Sequence, residues 1–212
     1  MLTPLNNDLL YLIVFGPGFG ESVCLRIPPG HWVVIDGCSR GGNSYPEYML
    51  SLHTADQLHA VILTHPHLDH SKGLRRLVDA GRYERLGCTP PLSPPDDEDD
   101  LDNPDRDLNA GVTEDLLHRI WSEWISRPGC RWDLLRGRHI QVEDAHFELF
   151  SPEPEKAQAF WQSRKAGGDP EPNEISTAIR VAWHDLRLVL GSDLERLPRE
   201  SGGNACASSG RA

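Results

Sequence analysis

One run of seven residues carries the side-chain types of a metal site. Segment 64–70 reads Thr-His-Pro-His-Leu-Asp-His and holds four ligand-type side chains, at His65, His67, Asp69 and His70. Imidazole nitrogens and carboxylate oxygens suit a borderline cation such as Zn²⁺, and they also accept Mn²⁺ or Fe²⁺. The alternative is a polar loop in which these residues cluster without function. Ligand types this dense at the end of a strand are rarely incidental, so we interpret the run as a metal-binding loop.

The residues around the loop predict how it is positioned. Residues 60–63 form an apolar run that predicts a buried strand, and Pro66 prevents either a strand or a helix from continuing through the loop. Residues 71–80 follow with apolar side chains at helical spacing and with Ser71 as the expected cap. A strand that ends at a rigid sheet edge can therefore direct the ligand-type side chains toward a common point.

The rest of the chain alternates the patterns of strands and helices. The 212 residues are enough for one domain with a substantial core. We predict further strands over residues 9–15, 22–27, 31–35, 83–88, 139–142, 146–150, 174–183 and 186–190. Helical spacing predicts helices over residues 46–53, 113–125 and 153–165. The sequence thus predicts one α/β domain over residues 1–195.

Two segments lack any such pattern. Residues 89–110 hold five prolines and a run of aspartates and glutamates, which resist packing, so we predict a disordered insertion there. Residues 196–212 are rich in Gly, Ser and Ala at their end and are predicted to be a disordered tail.

Composition narrows the class of protein. A net charge of −11 argues against a nucleic-acid coat protein, but not against a nuclease, because bound divalent ions are themselves large positive charges. The five cysteines are odd in number and form no Cys-x-x-Cys pair, which favours a reducing compartment. The apolar run 9–15 is too short to cross a bilayer and lacks the flanks of a signal peptide. We expect a cytoplasmic protein without membrane association.

The spacing His65-x-His67-x-Asp69-His70 is similar to the signature of the metallo-β-lactamase fold hydrolases. Three other segments resemble the same family: Gly-Phe-Gly-Glu-Ser at 18–22, Val-Val-Ile-Asp-Gly at 33–37 and Gly-Ser-Asp at 191–193. Together they resemble most the branch that contains the nuclease domain of bacterial competence (DNA-uptake) proteins. The resemblance implies an αββα sandwich of two mixed sheets.

The resemblance also implies roles for individual residues. Asp36 would lie under the histidine loop and orient it, with a simple turn residue as the alternative. Asn173 and Ser176 match the second half of the competence-nuclease pattern, in supporting positions. Asp193 would bridge two metal ions, and a turn aspartate is again the alternative. Asp69 would orient the attacking water and take up its proton.

One motif of the family has no counterpart. In the family, the chain continues after the bridging aspartate to a His-His-Gly-Ser-like motif that completes the second metal site, and nothing here matches it. The resemblance then implies one metal held by His65, His67 and Asp193. A second would be held by Asp69, His70 and Asp193, so we expect one or two Zn²⁺ ions. The second half of the sandwich would be incomplete, because the sequence is a fragment of a longer protein or because a partner chain supplies the remainder.

The expected activity is metal-dependent hydrolysis of phosphodiester bonds by a metal-activated water. The substrate would be a small-molecule or nucleic-acid phosphodiester, and the preference for nucleic acid comes from the resemblance. An alternative is a catalytically impaired or partner-completed metal-binding module, because the last histidine motif is absent. An oxygen-reducing di-iron protein of the same fold is disfavoured, since that group carries Glu where His67 stands.

Overall fold

The computed structural model describes residues 5–16, 20–40, 42–91 and 108–193. The chain divides into two compact units, the first of Met1–Cys88 with Ser93–Trp132 and the second of Thr89–Leu92 with Asp133–Ala212. Most of the predicted insertion and the whole predicted tail fall outside the described residues. Within the described ranges, no helix combines the length and the apolar character that crossing a bilayer requires.

The first unit is built on a six-stranded mixed sheet. Its strands are β1 (Tyr11–Phe15), β2 (Ser22–Ile27), β3 (His31–Ile35), β6 (Gln57–Ile62), β7 (Arg85–Cys88) and β8 (Arg131–Asp133). A separate short hairpin between β3 and β6 consists of β4 (Ser39–Arg40) and β5 (Asn43–Ser44). The order in the sheet is β1-β2-β3-β6-β7-β8. The pairs β1–β2 and β2–β3 are antiparallel, whereas the pairs β3–β6 and β6–β7 are parallel.

The parallel strands bring two loops to the same sheet edge. β3 and β6 pair up to the register Ile35↔Ile62. The next residue after β3, Asp36, donates its backbone N–H to the carbonyl of Ile62 at 2.8 Å. The loop after β3 and the histidine loop after β6 therefore leave the sheet side by side, as the carboxyl ends of parallel strands require.

Among the described residues, the first unit contains four α-helices: α1 (Tyr45–Ser51), α2 (Leu68–Ser71), α3 (Arg75–Ala80) and α4 (Leu108–Ser126). The prediction of one helix over 71–80 capped by Ser71 is wrong, since the chain forms two short helices with a break before Arg75. Ser71 ends α2, and its hydroxyl meets that of Thr113 on α4 at 2.8 Å. The break coincides with Gly73, which packs against another glycine (below).

The second unit holds a four-stranded sheet in the order β12-β11-β10-β9. These strands and the helix α5 are β9 (His139–Val142), β10 (Ala145–Leu149), α5 (Pro154–Lys165), β11 (Ile179–Trp183) and β12 (Leu186–Leu190). All three strand pairs are antiparallel, so the prediction of two mixed sheets is wrong for this one. The predicted strand 174–183 begins only at Ile179, because Pro172–Ile175 forms a 3-10 turn. The α/β fold class is confirmed.

A buried ion pair joins the segment just before β6 to strands β2 and β3. The guanidinium of Arg26 is almost fully buried, and its Nε lies 2.7 Å from Oδ2 of Asp56. Trp32 donates its Nε1–H to the same oxygen at 3.0 Å. Burial alone would raise the pKa of Asp56, but the hydrogen bonds from Arg26 and Trp32 outweigh it and lower the pKa. The carboxylate is therefore held in its charged form.

We predict that Asp56→Ala lowers the free energy of unfolding by about 3 kcal/mol or more near neutral pH, because it leaves the Arg26 charge buried without its partner. Urea denaturation followed by circular dichroism measures this. Because the pKa of Asp56 is lowered on folding, its stabilisation is present above about pH 4 and is lost as the pH falls through the folded pKa. The matched control, Asp79→Ala at an exposed ion pair, should cost less than about 1 kcal/mol. Equal losses for the two variants would contradict the prediction.

Candidate metal centre

The histidine loop is a compact continuation of β6. Thr64 and His65 remain buried after the strand ends. The N–H of His67 then bonds back to the carbonyl of His65 at 2.9 Å across Pro66, and His67 is the residue before α2. Because α2 begins at once, Asp69 and His70 turn back over the strand end. The loop thereby folds its ligand-type side chains onto one another.

The three imidazole rings converge. The ring centroids of His65 and His70 lie 4.3 Å apart, and those of His65 and His67 lie 5.8 Å apart. The centroids of His67 and His70 are 6.4 Å apart. The carboxylate of Asp69 lies among the rings, with Oδ1 at 2.5 Å from Nδ1 of His67 and at 3.7 Å from Nε2 of His70. Imidazole and carboxylate groups gathered this closely are the donor types that suit a divalent cation such as Zn²⁺.

Asp36 lies beneath this cluster in an unusual backbone conformation. Its φ of +56° falls in the left-handed region, where few residues other than glycine occur. Ser22 donates its hydroxyl to the backbone carbonyl of Asp36 at 2.7 Å, which helps hold the turn. The buried carboxylate accepts the backbone N–H of Thr64 at 2.8 Å and its hydroxyl at 2.6 Å. It also meets Nδ1 of His70 at 2.8 Å.

These hydrogen bonds select one ring nitrogen of each buried histidine. A carboxylate only accepts, so Nδ1 of His70 carries a proton, and in the neutral ring Nε2 then keeps its lone pair. The Thr64 hydroxyl gives its own proton to Asp36, so its oxygen accepts from Nδ1 of His65 at 3.1 Å. Both Nε2 atoms are then in the form that binds a metal.

The buried position of His65 keeps its ring neutral. The pKa of His65 is lowered to about 3, chiefly by burial and in smaller part by the neighbouring His70 and His67. The neutral imidazole is the form that coordinates a metal ion, so this ring needs no deprotonation at neutral pH. In contrast to the buried His65, the side chain of His67 has half of its surface exposed.

Close approach of two glycines fastens the loop to the end of β3. Gly37 donates its N–H to the carbonyl of His70 at 2.7 Å, and Gly73 donates to the carbonyl of Gly37 at 2.6 Å. A Cβ at Gly73 would lie 2.6 Å from the carbonyl oxygens of Gly37 and Cys38. Only glycine allows the two backbones to pass at this distance. We call residues 37, 38 and 73 the glycine strap.

Sequence reasoning places five candidate residues in the first unit: Asp36, His65, His67, Asp69 and His70. The structure brings all five together at one sheet edge. Sequence reasoning did not single out Thr64, Ser22 or Gly73 as site residues. For Thr64 there was a signal in the sequence, because a hydroxyl residue comes directly before the first histidine.

The other three candidates lie in the second unit. Asn173 is part of the 3-10 turn Pro172–Ile175, and the buried Ser176 follows it. Asp193 is half-buried and comes three residues after β12 ends. The metal-binding, supporting and catalytic roles of all eight residues stay predictions.

The segment that carries the histidine loop is similar to a known protein family. Residues 16–131, more than half of the chain and including the whole histidine loop, match the family model of the metallo-beta-lactamase superfamily. The chain belongs to this superfamily. Its resemblance to the family is thereby confirmed, while the competence-nuclease branch stays a prediction. The match to a family of metal-dependent hydrolases agrees with the donor set described above.

The proteins that are similar to the chain include one curated relative and two solved structures. It is 39% identical over 94 residues to the transcription termination factor FttA of Methanothermobacter thermautotrophicus, covering 41% of this chain and 15% of that protein. A metallo-β-lactamase from Staphylococcus aureus is 11% identical with a TM-score of 0.44, over 82% of this chain and 39% of that one. CmlA, a diiron β-hydroxylase from Streptomyces venezuelae, is 13% identical with a TM-score of 0.43, over 84% and 28%. The chain spans less than half the length of each of these proteins.

We predict that Asp36→Asn lowers zinc affinity about 10- to 100-fold, because the amide no longer fixes the His70 ring as the carboxylate does. Asparagine tolerates the left-handed backbone, so the fold should persist. Isothermal titration of Zn²⁺ into the metal-free protein measures the affinity, with Asp79→Asn as the control. An affinity equal to that of the control would contradict the role of Asp36.

A second prediction concerns the glycine strap. Gly73→Ala should displace the loop, lowering both the free energy of unfolding and the zinc affinity, because its Cβ meets backbone oxygens that cannot move aside. Gly129→Ala is the control, since a Cβ there has no atom within 4 Å. Thermal unfolding and zinc titration of both variants provide the measurement. If Gly73→Ala behaves like Gly129→Ala, the close approach does not hold the loop.

Proposed function

We propose that the chain is a metal-dependent hydrolase of phosphodiester bonds, with one or two Zn²⁺ ions as its cofactor. The observation that carries the proposal is the hydrogen bonding of Asp36 and Thr64, which leaves Nε2 of His65 and of His70 as lone-pair donors. Mn²⁺ or Fe²⁺ would suit the same nitrogen and oxygen donors. Membership of the superfamily supports a metal-dependent hydrolase in general.

The residues of the histidine loop would have different roles in such a reaction. His65, His67 and His70 would hold the cation with Asp69, and Asp193 is proposed as a further ligand. A divalent cation held by these residues would supply an acidified water and positive charge for phosphoryl oxygens. Asp69 is half-buried with Oδ1 between the rings of His67 and His70, where its carboxylate would orient a water and accept its proton. The buried floor formed by Thr64 and Asp36 keeps bulk water away from the Nδ1 side of the rings.

The substrate class rests on two supports. A hard phosphoryl oxygen and a leaving alkoxide both gain from a divalent cation, which suits phosphodiester chemistry. The curated relative is named a transcription termination factor, and this name favours a polynucleotide over a lactam. The fold itself does not fix the substrate.

A second candidate function is a metal-binding module that a partner chain completes. The last strand of the second sheet favours it. β12 pairs only with β11 among the described residues, and it leaves Leu186 41% and Val189 53% exposed. An apolar edge strand of this kind is a ready surface for another chain. In this case metal binding would serve assembly instead of turnover.

Hydrolysis of bis(p-nitrophenyl) phosphate by the zinc-loaded protein separates the two functions. For the hydrolase, His67→Ala should lower kcat/KM about 100-fold or more, because it removes a ligand and opens the site. His146→Ala, at an exposed histidine of β10, is the matched control and should retain activity. Metal analysis of each variant accompanies the assay. Stoichiometric metal without any turnover, unaffected by His67→Ala, would reject the hydrolase and support the module.

A further inference from the structure

We propose that the rim of the metal centre carries a binding subsite for single-stranded nucleic acid, formed by Phe15, Arg40, Tyr45 and Lys72. It extends the proposed function by naming the substrate class. The four residues come from three separate stretches of the first unit. The glycine strap and the β4–β5 hairpin bring these stretches together.

The hairpin is fastened to the backbone beside the histidine loop. Ser44 donates its hydroxyl to the carbonyl of Gly73 at 2.7 Å and caps α1 by accepting the N–H of Glu47. Tyr45 donates its N–H to the carbonyl of Cys38 at 3.3 Å. Arg40 pairs with Asn43 across the hairpin, and Lys72 directly precedes Gly73. Both cations therefore lie on segments held to the same strap as His70.

The charges of these two residues are available to a ligand. Arg40 and Lys72 are exposed, and neither has an ion pair within the part of the chain that the structure describes. The charge of the nearby Arg75, in contrast, is engaged in ion pairs with Asp79 and Asp115. In a chain with a net charge of −11, Arg40 and Lys72 are thus two exposed cations that no described carboxylate holds in an ion pair. Such cations suit the phosphates of a polyanion that enters the site.

An aromatic pair lies against the same strap. The rings of Phe15 and Tyr45 stack with centroids 5.5 Å apart and planes within 11° of parallel. The thiol of Cys38 lies 3.9 Å from the carbonyl of Phe15, which ties this end of β1 to the strap. Both rings are half-buried, so the pair is not closed into the core. A planar base can extend such a stack as a third layer.

The two features together specify the ligand. Cations bind backbone phosphates, and an aromatic face binds a base that is not already stacked within a duplex. A single strand that lays one base on the ring pair would then place neighbouring phosphates at Arg40 and Lys72. The scissile phosphodiester would lie next to the histidine loop.

Fluorescence anisotropy of a fluorescein-labelled oligothymidylate of about 12 nucleotides tests the subsite on the metal-free protein, where no turnover occurs. An oligouridylate of equal length distinguishes DNA from RNA. The double variant Arg40→Glu/Lys72→Glu should raise Kd about tenfold and lower the salt slope of log K by about 2. Tyr45→Ala should raise Kd about tenfold, whereas Tyr45→Phe, which keeps the ring, should restore binding.

The matched control is Arg82→Glu/Arg119→Glu, which changes the net charge equally at two exposed arginines of the first unit that are not among the four subsite residues. The subsite is rejected if this control weakens binding as much as the rim variant, if Tyr45→Ala binds like the wild type, or if the wild type does not bind the oligonucleotide. Hydrolysis of bis(p-nitrophenyl) phosphate by the wild type is measured alongside. Turnover without oligonucleotide binding rejects the subsite alone, and the expected binding pattern without turnover rejects the hydrolase alone.

Discussion

The carboxylate of Asp36 is the constraint on which the site depends. It is buried and accepts hydrogen bonds from the backbone and hydroxyl of Thr64, and it meets the ring of His70. A charge in this position is stable only because each of its partners is in place. The same bonds orient two histidine rings before any metal arrives, so little reorganisation remains for binding. The left-handed turn at Asp36 is the local cost of this arrangement, offset by the hydroxyl of Ser22.

Backbone packing transmits this constraint to the surroundings. The parallel pairing of β3 and β6 sets Asp36 beside the strand that carries the histidines. Gly37 and Gly73 then allow the two loops to touch, and Ser44 links the hairpin to the same point. The histidine loop, the hairpin that carries Arg40 and the Phe15–Tyr45 pair thus share one support. Displacement of the glycine strap would therefore disturb all three features together. Glycine is required at residues 37 and 73 because a Cβ at either would meet backbone atoms of the other loop.

The sequence predicts the strongest local signals and misses those that depend on tertiary contacts. The spacing from His65 to His70 and the apolar run before it predict a strand that ends in a metal-binding loop. The structure contains the strand and gathers the four side chains after it, while their metal-binding role stays a prediction. The helix over 71–80 is wrong because the pattern of apolar residues does not reveal that Gly73 must meet Gly37. The strand over 174–183 starts late because Pro172 favours a turn over an extended start. Thr64 and Ser22 escape notice, since a single hydroxyl gains its role only from the partner that folding brings near.

The tautomers of His65 and His70 are the direct consequence of the Asp36 network. Long-range ¹H–¹⁵N correlation spectra of the imidazole rings in the metal-free protein at neutral pH report which nitrogen carries the proton. We expect both buried rings to be neutral with the proton on Nδ1, and Asp36→Asn to change the spectrum of His70. Protonated rings, or neutral rings with the proton on Nε2, would contradict a site that is pre-arranged to bind a metal ion.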